Sequence, residues 1–487
     1  MNRRLTLSLA ATVLAIGACS DQQEPTSTAD EALAIASSSA SASYVIRFAP
    51  GKASDVLAAV GRAGGKVSNL FKPAGVATAE SADPAFADRL RSTVGVKAVA
   101  QDTIIQWVDP KERFTVAEDA IGDTERWFPI QWSLKAVKAQ DAWLTEKGAD
   151  ARVAILDGGI WNQHVDIAPN LDVDASKSFS IDPVTETLRD KFTDVGTFWH
   201  GTHVAGIVAA ADNANELGTI GIAPEATLIG VKVLHNGSGS FGAVVLGIYY
   251  AAAAVTTDPL TTGAGADIIN MSLGAQLPSG RDSKVRALKA FLDDATTFAH
   301  NQGVLVVASA GNGDKKGRGI DHDLGQWFTL PAQAEHVVGV SALGPVGFAL
   351  GATNFDRLAS YSNFGVRLVD FSGPGGDFVL PGTALCTLTI NPGIPTPITT
   401  TVTQPCWVFD MVVSSCRGTT TSNVCFAAGT SMAAPAVSGV AALVVGRKGR
   451  AGLLANLALA TDDLGPLGTD AVYGIGRVNA LKAATLP

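Results

Sequence analysis

Charge is scarce in this sequence. Asp, Glu, Lys and Arg make up 17% of its 487 residues, against roughly 25% in an average soluble domain, so the chain carries too much apolar material to stay disordered. Within a formal balance of −9 there is no block of Lys and Arg. That excludes a surface tracking nucleic-acid phosphates, and with it nucleic acid as a partner. Long apolar runs are missing as well. A bilayer-spanning helix needs about 20 residues; the run Leu5 to Ala18 is shorter, and no other uninterrupted stretch matches it. An exported rather than an integral protein is expected. The 51 glycines and 22 prolines follow no period, which removes the fibrous and low-complexity classes. Between Cys19 and Cys386 cysteine is absent.

The chain begins with Arg3, Arg4, the apolar run, and the quartet Ile16-Gly17-Ala18-Cys19, the layout of a secretory signal. An aliphatic residue, two small residues and Cys resembles the bacterial lipobox. Residues 1–18 are therefore read as signal peptide and Cys19 as the lipidated first residue of the exported chain; the alternative is an ordinary signal cleaved nearby. Residues 19–43, rich in Ser and Ala without turn chemistry, read as a disordered tether. Cys386, Cys406, Cys416 and Cys425 fall in one Thr- and Pro-rich region. In an oxidising compartment they predict two disulfides, with three pairings open; they lack the paired close spacing of a zinc site.

Residues 44–108 alternate short strands and helices in the order β-α-β-β-α-β, an α+β ferredoxin-like arrangement. The last strand is read through VKAVAQDTIIQWV. Residues 109–126, polar and charged, read as an exposed linker. From Trp127 the strands become continuous apolar runs, RVAILD, TLIGVKVL, ADIINMSL, GVLVVASA and HVVGVSAL. Such runs mean strands buried on both faces, hence an α/β domain with a parallel sheet between helical layers over 127–487. Ligands bind such sheets at the carboxyl ends of the strands.

Four residues sit at those ends. Asp157 follows RVAIL, His200 opens HGTHVAGIVAA, Asn312 follows VLVVASAG, and Ser431 opens SMAAPAVSGVAALVV. A serine hydroxyl needs a base to take its proton, the base needs an orienting carboxylate, and the developing oxyanion needs fixed donors. Each residue alone has a plainer reading: strand-end cap for Asp157, half of a metal pair with His203 for His200, helix cap for Ser431, turn residue for Asn312. The HExxH spacing of a zinc peptidase is absent, GNGDKKG lacks the GK[ST] ending of a phosphate loop, and no His follows Ser431, as an α/β-hydrolase esterase requires.

AILDGGI, HGTHVAG and GTSMAAPAVSG, in that order, with NMSLG, ASAGN and YGIGRVNA in support, resemble the motifs of the subtilisin-like serine peptidases over 127–484. The resemblance implies a three-layer parallel-sheet peptidase domain. It implies the catalytic set Asp157, His200, Ser431 and Asn312, with His203 structural, and no cofactor for the chemistry. Residues 44–108 resemble the family's inhibitory propeptide, so 109–126 is where maturation cleavage is expected. The Asp motif departs from the pattern by carrying Gly158 where Ser or Thr is usual, which removes a hydroxyl that could steady the carboxylate.

By position in the motifs, substrate backbone is expected between Ser272, Leu273 and Gly274 on one edge and Ser238 and Gly239 on the other. Ala308, Ser309, Ala310 and Gly311 are expected to line a roomy, uncharged primary pocket, and Phe241 to wall a further apolar subsite. Asp166, Asn215 and the carbonyls of Leu217 and Thr219 resemble a family calcium site, with Phe128 where a Gln ligand is expected. Residues 377–426, holding all four later cysteines, are read as one inserted disulfide-stapled loop. The partners implied are protein or peptide substrates, the chain's own propeptide, and a membrane through the lipid anchor of the precursor alone. The matured enzyme is expected to be periplasmic or extracellular and monomeric.

Overall fold

The computed structural model describes residues 41–108, 113–116, 127–180, 192–193, 199–212, 218–258, 261–279, 282–390, 401–417 and 422–487. The signal, Cys19 and most of the tether lie outside them, as does most of 109–126.

Strands β1 (Ala42–Phe48), β2 (Gly65–Phe71), β3 (Val76–Ser81) and β4 (Val96–Gln101) form an antiparallel sheet in the order β2-β3-β1-β4, with helices Ala53–Arg62 and Phe86–Arg91 between strands. Ile46, Phe48, Val56, Val60, Phe86 and Leu90 close a small core between sheet and helices. The sequence suggests one strand running on to Val108, but the chain leaves the sheet at Asp102. Its carboxylate accepts from the N–H groups of Thr103 and Gly242, both at 2.9 Å. Gly242 stands in the first turn of the helix Phe241–Ala252, where orphan N–H groups favour an acceptor. Past this bend the chain forms a separate strand, β5 (Ile104–Gln106).

Arg113–Val116 forms strand β6 rather than exposed linker. The larger unit then supplies β7 (Arg152–Asp157), β8 (Lys177–Ser178), β9 (Thr227–Lys232), β10 (Ser238–Ser240), β11 (Ile268–Met271), β12 (Ala275–Pro278), β13 (Leu305–Ser309), β14 (Trp327–Leu330), β15 (Val337–Leu343) and β16 (Phe371–Pro374). After these come β17 (Leu385–Thr389), β18 (Thr401–Pro405), β19 (Val412–Arg417), β20 (Ser422–Ala428), β21 (Thr461–Asp462) and β22 (Arg477–Val478). The central sheet runs β21-β22-β16-β15-β13-β11-β7-β9-β8, parallel throughout except at β21. Side chains alternate between faces along each strand. Val153 and Ile155 of β7 enter the core with the helices His200–Ala209 and Thr430–Lys448, while Ala154 and Leu156 enter the core with Phe241–Ala252 and Ser283–Asn301. The Thr430–Lys448 helix is apolar and long enough to cross a bilayer by composition, but its residues 430–445 are buried against the sheet.

The small sheet lies on the second of these faces. Val45, Phe71, Val76 and Ala100 share a core with Val244, Ile248 and Leu292, Phe71 stacks on Tyr249 at 6.3 Å, and Arg47 pairs with Asp294.

The stretch 377–426 is not one insertion. Asp377 N–H donates to the Asp410 carbonyl at 3.2 Å, closing the base of an added segment that carries the β17–β18 hairpin and the Cys386–Cys406 disulfide. Beyond it, the β19–β20 hairpin, stapled by Cys416–Cys425, belongs to the main core through Val412, Val413, Val424 and Phe426. Thr-rich alternation cannot separate these two hairpins; burial of the second does.

Candidate active site

Three elements deliver the polar residues. β7 ends at Asp157, the helix His200–Ala209 begins at His200, and the helix Thr430–Lys448 carries Ser431 in its first turn. The approach is close because of Gly201: a Cβ there would lie 2.2 Å from the Gly159 carbonyl oxygen and 3.0 Å from Asp157 Cβ. Asp157 and His200 are buried, and His200 Nδ1 lies 2.9 and 2.8 Å from Asp157 Oδ1 and Oδ2. That contact fixes Nδ1 as the protonated nitrogen and leaves Nε2 the basic one. The backbone also steadies the carboxylate: Gly158 N–H donates to Oδ1 at 2.6 Å.

Ser431, 4% exposed, points its Oγ toward the Ser272 carbonyl at 3.5 Å. Its own carbonyl accepts from Ser272 Oγ at 2.7 Å, Asn270 Nδ2 donates to Ser272 Oγ at 2.9 Å, and Ser438 Oγ donates to Asn270 Oδ1 at 3.0 Å. This buried relay ties the first turns of the Ser431 helix to β11. Asn312 Oδ1 accepts from both the N–H and the Oγ1 of Thr430 at 2.8 Å, so its Nδ2 is the end free to serve another acceptor, and Thr430 Oγ1 also takes the Gly311 N–H at 3.0 Å. Thr430, Asn270 and Ser438 were not among the residues expected from sequence. All three lie inside the family motifs, but the Thr430–Asn312 and Ser438–Asn270 contacts join residues more than 100 positions apart along the chain.

Residues 104–108 lie between the two segments expected as substrate edges. Gln106, Ile105 and Ile104 pair antiparallel with Ser238, Gly239 and Ser240 of β10. Trp107 and Val108 donate their N–H to the Gly237 carbonyl at 2.9 and 3.1 Å, and the Trp107 carbonyl accepts from Gly274 N–H at 2.7 Å. The Trp107 indole, 1% exposed, sits 5.9 Å from the Phe241 ring and donates to the Gly239 carbonyl at 3.0 Å. Gly239 itself packs against the preceding strand end, where a Cβ would meet the Val233 carbonyl oxygen at 2.4 Å. Leu273 is buried, and Ser272 faces Ser431 rather than the cleft. Ala308 and Ala310 have no exposed surface and Ser309 has 3%, because they continue β13 into the sheet; of these four, Gly311 reaches the surface.

Asn215 and Leu217 lie outside the described residues. Asp166 and Thr219 do come together, with Thr219 N–H donating to Asp166 Oδ2 at 3.0 Å, and Gly218 approaches so closely that a Cβ would fall 2.2 Å from that oxygen. Near Phe128, the side chain of Gln131 is engaged at both ends by the backbone of Ile220. Among the described residues no three His, Cys, Asp or Glu side chains cluster as a metal site would require.

A catalytic-type carboxylate–imidazole pair, a helix-borne serine and a β-lined cleft on a parallel sheet agree with the match of residues 148–476 to the model of the subtilase family. The chain belongs to the subtilase family. This subtilase is a serine endopeptidase by that membership. It is 28% identical over 400 residues to the thermophilic serine proteinase of Bacillus sp. (strain AK1), covering 80% of this chain and 75% of that one. To thermitase of Thermoactinomyces vulgaris it is 28% identical over 355 residues, 72% of this chain and 95% of that one. Its fold is similar to that of the epidermin leader peptide processing serine protease of Staphylococcus aureus, with a TM-score of 0.66 at 20% identity over 92% of this chain and 98% of that one. It is also similar to fervidolysin from Fervidobacterium pennivorans, with a TM-score of 0.60 at 22% identity over 92% of this chain and 61% of that one.

Proposed function

We propose that this subtilase hydrolyses peptide bonds through Ser431, His200 and Asp157, and that it is made as a precursor that cuts itself between the small domain and the peptidase unit. The hydrogen bond from His200 Nδ1 to Asp157 carries the catalytic reading. His200 Nε2 takes the Ser431 hydroxyl proton as Oγ attacks the carbonyl carbon, and Asp157 stabilises the imidazolium. Asn312 Nδ2 and the Ser431 N–H hold the oxyanion, and His200 then protonates the departing amine. Water then attacks the acyl carbon as His200 Nε2 takes its proton, and His200 returns that proton to Ser431 Oγ as the acyl C–O bond breaks and the acid is released.

Residues 104–108, seated in the cleft as an added strand, support the reading of 44–108 as an inhibitor acting in cis; on that reading the cut falls within 109–126, after the strand. Export with a lipid on Cys19 would put the anchor on the inhibitor side of that cut, releasing a soluble, monomeric enzyme. Calcium at Asp166 would have one carboxylate, itself bonded to Thr219, and otherwise carbonyl ligands, a donor set for weak binding. A chelator should then lower the thermal midpoint only slightly, and no shift removes the site.

A fluorophosphonate probe is expected to label the protein at Ser431, and Ser431→Ala is expected to abolish labelling, peptidase activity and self-cleavage together. A folded but unlabelled wild-type protein would favour the alternative, a catalytically silent interaction protein of the cell envelope. A Ser431→Ala chain processed at the wild-type rate would overturn the triad.

A further inference from the structure

The walls of the cleft carry no charge of their own. Segments 235–240, 272–278, 308–313, 327–333 and 427–433, which frame it, contain no Asp, Glu, Lys or Arg. Two of its glycines back onto one residue of that frame: a Cβ on Gly274 or Gly311 would lie 3.5 or 3.6 Å from the Thr329 methyl. The Thr329 hydroxyl is turned away to the buried His322 ring, 3.3 Å from Nε2. A neutral primary pocket results.

Charge enters at its rim, on the loop that follows Asn312. Gly313 lets this loop fold back on itself, with φ at +84° and a Cβ that would fall 2.3 Å from the Arg318 carbonyl oxygen. Asp314 N–H donates to that carbonyl, and Gly317 N–H to the Asp314 carbonyl, both at 2.8 Å. The Asp314 carboxylate is used inside the loop. It accepts from the N–H groups of Lys316 and Arg318 at 2.8 and 3.1 Å, and from the Arg318 guanidinium at 3.1 and 2.7 Å. Asp314 and Arg318 therefore cancel, and the net charge of the loop is that of Lys315 and Lys316, both exposed. Farther along, Asp321 accepts from Asp323 N–H, and Asp323 accepts from the N–H groups of Val366 and Arg367. Uncharged walls leave the field of the two lysines uncancelled inside the cleft.

The chain's own sequence supplies a complement. The residue after the cleft strand is Asp109, and residues 109–126 include six acidic and three basic side chains. Building on the catalytic reading, we propose that Lys315 and Lys316 make the primary pocket selective for acidic side chains, so that preferred substrates carry Asp or Glu at the residue supplying the scissile carbonyl. The lysines act from the rim by charge, and discrimination appears as a ratio of kcat/KM values.

The test uses the matured enzyme and peptides identical except for Glu or Gln at that residue, with a third peptide carrying Glu just beyond the scissile bond and Gln before it. At low ionic strength Glu before the bond is expected to give a kcat/KM at least about fivefold above Gln, the range of exposed ion pairs. In 1 M salt the ratio should fall below about twofold. In a Lys315→Gln/Lys316→Gln enzyme it should approach one, and Lys315→Glu/Lys316→Glu should reverse it. A ratio at or below one for the unmodified enzyme, a ratio untouched by salt or by the substitutions, or an equal gain from Glu beyond the bond overturns the proposal. Fluorophosphonate labelling with cleavage of the Gln peptide shows in the same experiment that the triad works. Failure of the catalytic reading would instead show as no labelling and no cleavage of any peptide.

Discussion

Asn312 shows how one side chain is aimed. An amide presents an acceptor and a donor at equal reach, and the two bonds from Thr430 to Oδ1 choose between them by holding the oxygen inward. Asn312→Ala is expected to lower kcat by ~10²–10³ with little change in KM, as loss of one oxyanion donor does. Thr430→Val keeps the backbone bond and removes the hydroxyl, so steady-state kinetics should show a smaller fall in kcat, again with KM preserved. An equal loss in both variants would mean that Thr430 acts other than by orienting Asn312. Asp157, His200, Ser431 and Asn312 stand out in the sequence because each lies in a motif. Their orienting partners do not, because a hydrogen bond such as Asn270 to Ser272 to Ser431 joins strands and helices brought together only by folding.

Strands β5 and β6 carry the lesson at the scale of elements. The alternation runs β5 on from β4 and leaves β6 within a polar linker; nothing in it says that Ile104–Gln106 pairs with β10, or that Arg113–Val116 adds to β20. The break depends on Asp102 meeting an N–H of the Phe241–Ala252 helix, a contact spanning 140 residues. Trp107, buried beside Ile105 and Val108, helps keep β5 in the cleft, and truncating a buried Trp typically costs about 3–5 kcal/mol. In a Ser431→Ala precursor, Trp107→Ala should therefore raise hydrogen exchange across 104–108 while β1 to β4 keep their protection. Unchanged exchange at 104–108 would show that the backbone bonds alone hold the segment.

Over the whole molecule, two buried imidazoles bias stability toward neutral pH. Burial pushes His164 down to about 4, against a partly opposing bond to the Asn423 carbonyl. Burial pushes His203 down to about 3, with bonds to the Cys425 and Val412 carbonyls opposing it and the nearby His200 adding to it. In the unfolded chain both titrate near 6.5. As pH falls below that value the unfolded state takes up protons the native state refuses, so stability falls. The expected slope approaches about 1.4 kcal/mol per pH unit for each histidine. It should be visible as a falling denaturant midpoint of the Ser431→Ala chain between about pH 6 and 4, with a plateau above about pH 7.5. A midpoint flat across that acid range would contradict the burial of these two rings.

The sequence by itself determined the parallel sheet and marked the candidate reactive residues. Apolar runs such as RVAILD can be satisfied only by burial on both faces, and HGTHVAG and GTSMAAP keep their chemistry in local order. Its scarcity of charge suits a chain that buries both faces of a long sheet. Only the tertiary structure decided which edges Ile104–Gln106 and Arg113–Val116 would occupy, that Cys386 pairs with Cys406 and Cys416 with Cys425, and that the second pair staples a core hairpin. The physical reason is common to all three. Backbone hydrogen bonds and disulfides are indifferent to sequence, so their partners are set by which surfaces the packed core brings within reach.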